Sequence, residues 1–206
     1  VEQCTHQLNC ALEFFPELAL AQAKELDAYY EKNQKPIGPL HGLPISLKDQ
    51  FRIKGLETSM GYVAWIGKYD EEDSVLVTLL RKAGAVFYVK TSVPQSLMVC
   101  ETVNNIIGRT VNPRNKNWSC GGSSGGEGAI VGFRGGIIGV GTDIGKLPSL
   151  ERGDMVSKVP WTDKEMVRWL YSSALGFQLS IWSSAEPWSN AIREDGQQYG
   201  RTGDRP

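Results

Sequence analysis

Two features of this chain could carry proton-transfer chemistry without histidine. One is a lysine closing an apolar run, Leu43-Pro-Ile-Ser-Leu-Lys48. The other is a pair of serines among glycines, Cys120-Gly-Gly-Ser123-Ser124-Gly-Gly-Glu127-Gly. A serine nucleophile needs a base, and the usual one is scarce, since the chain holds two histidines, His6 and His41. A three-histidine zinc site is therefore excluded, and a Ser–His hydrolase would have to use one of these two. A lysine can replace histidine when its amine is neutral. Free lysine titrates near ~10.4, and burial lowers that by several units. Lys48 is the natural candidate; the alternative is an ordinary strand-end lysine whose amine reaches water. The Gly/Ser segment also reads two ways, as a flexible linker or as a loop whose backbone N–H groups come close to a reacting group. Its shortness and its lead into an apolar strand favour the second.

Other chemistries drop out on spacing. Gly139-Val-Gly141-Thr-Asp-Ile-Gly145 is one residue too long for a dinucleotide fingerprint, and Gly145-Lys146 lacks the upstream Gly and the following Ser/Thr of a phosphate loop. The four cysteines, Cys4, Cys10, Cys100 and Cys120, form no CxxC pair and no metal spacing. They read as thiols in a reducing compartment, hence a cytoplasmic protein. Lys+Arg is 22 against Asp+Glu 23, a net charge of -1, which argues against a nucleic-acid partner. No apolar stretch is long enough for a membrane span, and no basic-then-apolar leader opens the chain. A start at Val1 leads to the expectation of a fragment or a processed form.

The elements that must position these residues follow from periodicity. Pro16 to Lys32 predicts a helix, with Leu18, Ala19, Gln22, Ala23, Leu26 and Tyr30 on one side. Asn33 to Gly42 is a Pro/Gly-rich connection. Leu43 to Lys48 suits a buried strand. Asp73 to Gly84 predicts a second helix with a stripe of Val75, Leu76, Leu79, Leu80 and Ala83, capped by Asp73 or Ser74 and ended by Gly84. Val86 to Lys90 follows as a strand after a tight turn, and Gly135 to Gly141 reads as another. The alternation implies an α/β layer architecture. From Lys146 onward the pattern is lost.

In order and spacing, Gly38-Pro-Leu-His-Gly-Leu-Pro-Ile-Ser-Leu-Lys48-Asp49, Lys90-Thr-Ser-Val-Pro94-Gln95, Gly108-Arg-Thr-Val-Asn112-Pro113, Gly121-Gly-Ser123-Ser124-Gly-Gly-Glu127-Gly and Gly139-Val-Gly-Thr-Asp143-Ile-Gly145 resemble the amidase signature family. They are most like fungal acetamidase-type general amidases, with fatty acid amide hydrolase a more distant relative. The resemblance spans about residues 10 to 145 and implies an α/β fold, a mixed sheet flanked by helices, incomplete in this chain. It also implies hydrolysis of a small-molecule carboxylic amide to acid and ammonia through a Ser–Ser–Lys triad, with no cofactor and no metal. By position, Lys48 is the base and Ser123 the bridging serine, held by a cis peptide. Backbone N–H groups around Ile144 and Gly145 belong to the oxyanion hole, and Leu97 falls at a substrate-contacting position. The oligomeric state stays open.

The chain then departs from the family. The acyl nucleophile of the pattern falls at position 147, which is Leu; Ser149 lies two places late, behind Pro148. A 1 Å misplacement can already cost about 100-fold, so Ser149 is no replacement, and the chain as written is expected to be inactive. A one-base frame shift beginning in the Arg168 codon can spell Gly-Gly-Ser-Ile-Arg and a long family-like continuation. Lys146 to Val167 then reads as translated intron and Arg168 to Pro206 as out-of-frame exon. The organisation expected is residues 1–145 as the N-terminal part of an amidase signature domain and 146–206 as a poorly ordered, non-family tail whose tryptophans (Trp161, Trp169, Trp182, Trp188) bind nothing. Exposed apolar surface and strand edges predict poor solubility. Two further readings remain: a non-catalytic amide-binding protein, permitted by the lost nucleophile, and a glutamine-using amidotransferase subunit of the same family. The run Phe14-Phe-Pro-Glu-Leu-Ala-Leu-Ala-Gln-Ala-Lys24 speaks against the latter.

Overall fold

A computed structural model describes residues 7–143 and 178–183. Its centre is a five-stranded sheet in the order β1-β3-β2-β6-β7, formed by β1 (Ala11–Phe14), β2 (Pro44–Lys48), β3 (Val86–Thr91), β6 (Ile138–Asp143) and β7 (Gln178–Ser183). β2 runs parallel to both β3 and β6. The edge strands β1 and β7 are antiparallel to their neighbours. A small hairpin of β4 (Val103–Asn104) and β5 (Gly108–Arg109) stands apart. The helices are α1 (Pro16–Asn33), α2 (Val75–Lys82) and α3 (Gly125–Gly132). The chain is thus a mixed α/β sheet flanked by helices. No helix among the described residues is long and apolar enough to cross a membrane.

The strands at Leu43–Lys48 and Val86–Lys90 form within a residue of where alternation places them, and β6 starts later, at Ile138. The helices form too, but with different buried faces. α1 starts with Pro in its first turn and Glu17 against the helix dipole. It buries Ala19 and Leu26 against the sheet while Leu18 and Tyr30 are exposed. Small residues at the contact hold the axis close to β3, so only a narrow stripe is covered. In α2 the core residues are Val77 and Leu80, and Val75 is 74% exposed. No side-chain hydrogen bond caps its N-terminus at Ser74.

β3 contains an irregularity that decides the site. Its register with β2 is Ile45↔Phe87 and then Leu47↔Lys90, so Tyr88 and Val89 together face Ser46. This is a β-bulge. Ile45, Leu47 and Phe87 pack in one core layer with Leu80 of α2, and Tyr88 and Val89 pack in the other with Ala129 and Ile130 of α3. After the bulge, Lys90 shares the face of Leu47, and Thr91 shares that of Ser46 and Lys48.

Candidate active site

Lys48 ends β2 with its side chain fully buried. Its Nζ lies 2.7 Å from Ser123 Oγ, 2.9 Å from Thr142 Oγ1 and 3.2 Å from the Thr142 carbonyl oxygen. These partners come from three directions. β2 delivers the amine from the carboxyl end of a parallel strand, the end of β6 delivers Thr142, and the turn before α3 delivers Ser123. The peptide Gly122–Ser123 is cis. Ser124 Oγ donates to the Thr142 carbonyl at 2.9 Å and accepts from Thr142 N–H at 3.2 Å, which ties that turn to β6. Thr142 Oγ1 in turn donates to Gln50 Oε1 at 2.8 Å.

The glycines around Ser123 are contact points. A Cβ at Gly122 would stand 2.6 Å from the Val99 carbonyl oxygen. One at Gly126 would strike the backbone of Ser92. The second half of the Gly/Ser segment is accordingly the start of α3 rather than a loop. Its small residues let a fully buried helix lie directly on the sheet.

Inside that helix stands one charged residue, Glu127, wholly buried. Its carboxylate accepts from Ser46 Oγ at 2.6 Å and Thr91 Oγ1 at 2.7 Å, joining α3 to β2 and β3. Burial pushes its carboxyl up to about 7, against the opposing pull of the two hydroxyls and of Lys48. Across the sheet, Lys90 forms a buried ion pair with Asp49 at 3.4 Å and donates to Thr58 Oγ1 at 2.5 Å and to the Glu57 carbonyl. Asp49 also accepts from Met60 N–H at 2.7 Å. Burial moves both groups toward neutrality, raising Asp49 and lowering Lys90, and each is opposed by the other's charge. This pair anchors the segment after β2 that carries Gln50.

Of the residues singled out from the sequence, the structure brings Lys48 and Ser123 together. Leu97 lies half-buried on a 3-10 turn, Gln95–Leu97, in which it and Ser96 both have positive φ (61° and 67°). The chain just after it, Val99 to Glu101, presses on Gly122. Ile144 and Gly145, like Ser149, lie outside the described residues. Cys10, Cys100 and Cys120 are not in disulfides. Burial pushes the Cys120 thiol up to about 12, so it is no nucleophile. Among the described residues no group of three His, Cys, Asp or Glu could hold a metal ion. Sequence reasoning passed over Thr142, Gln50, Ser124 and Glu127. A signal was present for Glu127, the lone charge in Gly-Gly-Glu-Gly-Ala-Ile-Val, and for Ser46, two residues before Lys48 on the same strand face.

Residues 1–146 match the Amidase family. The chain is 83% identical over 137 residues to the acetamidase of Emericella nidulans, covering 66% of this chain and 25% of that protein. It is 75% identical over 141 residues to the acetamidase of Aspergillus oryzae, covering 68% and 26%. Among solved structures, a fatty acid amide hydrolase superposes with a TM-score of 0.66 at 50% identity, over 68% of this chain and 25% of that one. The chain thus spans about a quarter of the length of the relatives it matches.

Proposed function

The chain belongs to the amidase family, and from that premise we propose that it is the N-terminal part of an enzyme hydrolysing a small carboxylic amide to acid and ammonia through a Ser–Ser–Lys triad. The observation that carries this is the 2.7 Å contact between the buried Lys48 amine and Ser123 Oγ. Burial disfavours the ammonium form, as a general base requires.

In the complete enzyme, neutral Lys48 takes the Ser123 proton while Ser123 takes that of a nucleophilic serine. The nucleophile attacks the amide carbon, and the negative charge gathers on the former carbonyl oxygen, held by N–H groups around Ile144 and Gly145. The proton returns through Ser123 to the leaving nitrogen, and ammonia departs. Water then cleaves the acyl–serine ester by the same relay. The chain as written has Leu at position 147 and supplies no such nucleophile, so it should not turn over. The similarity to two acetamidases favours a short acyl group. Lys146–Pro206 is read as a non-family tail, and a cytoplasmic setting is part of the same proposal.

The test is ammonia release from acetamide and benzamide by this chain and by one in which the full family-like continuation, beginning Gly-Ser-Ile-Arg, follows Gly145 and so places the serine at position 147. No turnover by the first and turnover by the second, abolished by Lys48→Met, is the expected result. Turnover by the first, or none by the second, overturns the assignment. Leu147 also favours a second reading, a non-catalytic amide-binding protein. A rise in melting temperature with acetamide, and no hydrolysis by either chain, would select it.

A further inference from the structure

The turn that carries Ser123 is gripped on both sides by one hydroxyl outside the triad. We propose that Thr102 is a positioning residue that, acting through the backbone of this turn, sets Ser123 within proton-transfer reach of Lys48. This rests on the Ser–Ser–Lys reading above.

Thr102 stands just before β4 and is wholly buried. Its Oγ1 meets the turn two residues before Ser123 and two residues after it, donating to the Gly121 carbonyl at 2.9 Å and accepting from the Gly125 N–H at 3.1 Å. Chemistry fixes both directions, because a carbonyl oxygen only accepts and a backbone N–H only donates. One hydroxyl thereby sets the span from Gly121 to Gly125, with Ser123 at its middle. The N–H side of Gly121 is held from the same segment. Ser119 Oγ accepts from Gly121 N–H at 2.9 Å and donates to the Glu101 carboxylate at 3.0 Å. That carboxylate also accepts from the Thr102 N–H at 3.2 Å and pairs with Arg109 at 3.0 Å. Between these grips the backbone of Val99 to Glu101 lies so close to Gly122 that a side chain there would have no room. On the other side of the turn, the paired bonds between Ser124 and Thr142 fix where α3 begins against β6. Ser123 precedes that tie, so its approach to Lys48, 2.7 Å from Oγ to Nζ, depends on what holds Gly121 and Gly122 behind it. Without the Thr102 hydroxyl, the Gly121 carbonyl and the buried Gly125 N–H must find other partners, and the turn relaxes. A displacement of about 1 Å at Ser123 Oγ is enough to cost roughly 100-fold in a reaction that needs this alignment.

The experiment uses the 206-residue chain with 15N-labelled lysine, following the Lys48 Nζ resonance, assigned by its loss in Lys48→Met, as a function of pH. Ser123→Ala should shift the proton affinity of Lys48 roughly three- to tenfold, the worth of one hydrogen bond. Thr102→Val removes both grips at nearly constant volume and should itself move the Lys48 midpoint. Adding Ser123→Ala to it should then change the affinity by less than about twofold, because the two side chains no longer meet. Thr102→Ser keeps the hydroxyl and should preserve the full Ser123→Ala shift. A threonine that merely supports the fold would lower stability in urea and leave that shift at full size. Such a result, or a Thr102→Ser chain that loses the shift, overturns the proposal. Should Thr102→Val not fold, Thr102→Ala, which places no methyl against the turn, decides in the same way. The two levels separate cleanly. If Ser123→Ala leaves the Lys48 titration untouched in the original chain, the triad reading itself fails; if it moves the titration equally with and without the Thr102 hydroxyl, only the role of Thr102 fails.

Discussion

Glu127 should make this protein lose stability as pH rises through neutrality, and Glu127→Gln should remove that loss. The carboxyl titrates at about 7 in the folded chain against 4.5 for the ordinary group, because burial removes its hydration. Below pH 4.5 both folded and unfolded chains carry the proton and the group is neutral in the balance. Between 4.5 and about 7 the unfolded chain releases its proton first, so each step up in pH favours unfolding. Above 7 both forms are ionised and the cost is constant. At about 1.4 kcal/mol per pH unit the whole effect is roughly 3 kcal/mol, a large part of a domain's usual stability. Glutamine has nearly the same shape and never ionises. Urea unfolding of the two chains in parallel, at intervals from pH 4.5 to 8, should show the difference between them moving in favour of the glutamine variant by about this amount and then levelling. Titrations elsewhere in the protein cancel in the difference, as does any fixed cost of the altered hydrogen bonds to Ser46 and Thr91. A difference that stays flat with pH, or one that grows toward acid, would falsify the assignment of a buried, proton-holding carboxyl.

A Cβ at Gly139 would meet Glu127 Oε2 and come within 2.5 Å of Ser46 Oγ; Gly139→Ala should cost about 1–3 kcal/mol in thermal or urea unfolding. Lys90→Met strands the Asp49 carboxylate in the interior and should destabilise by roughly 3–5 kcal/mol, most of it regained in Lys90→Met/Asp49→Leu; equal losses in the single and double variants would contradict the buried pair. Maleimide at pH 8 should modify exposed Cys100 within minutes, while Cys120, buried and with a thiol near 12, reacts only as fast as the protein opens; mass mapping of the adducts distinguishes the two.

The parts of the fold that announce themselves in the sequence are those with a strong period. β2 and β3 are apolar runs bounded by Gly and Pro, and α1 and α2 carry their start signals on view. Which face each helix buries was less legible. Val75 and Val77 are equally apolar, and only the approach of Phe87 and Ile45 decides between them. The second half of the Gly/Ser segment gave no helical period, because α3 is small and buried all round. Lys48 and Ser123 stood out as an odd amine in an apolar strand and a serine among glycines. Thr142 and Gln50 did not, since a threonine in a strand and a glutamine in a turn are ordinary until the fold puts them within 2.8 Å.

The extra residue at Tyr88–Val89 has a consequence for how this sequence tolerates insertions and deletions. Beyond that point the sheet has, in effect, been re-phased. Deleting either Tyr88 or Val89 would return the strand to plain alternation and leave Lys90 opposite Leu47, beside Asp49, and Thr91 opposite Lys48, beside Glu127. Such a deletion removes one side chain from the layer of Ala129 and Ile130 and spares both charged clusters. A library of single-codon deletions along Val86–Thr91 should therefore find the two bulge positions the most forgiving, whereas loss of Phe87 would push Tyr88 into the layer of Ile45, Leu47 and Leu80.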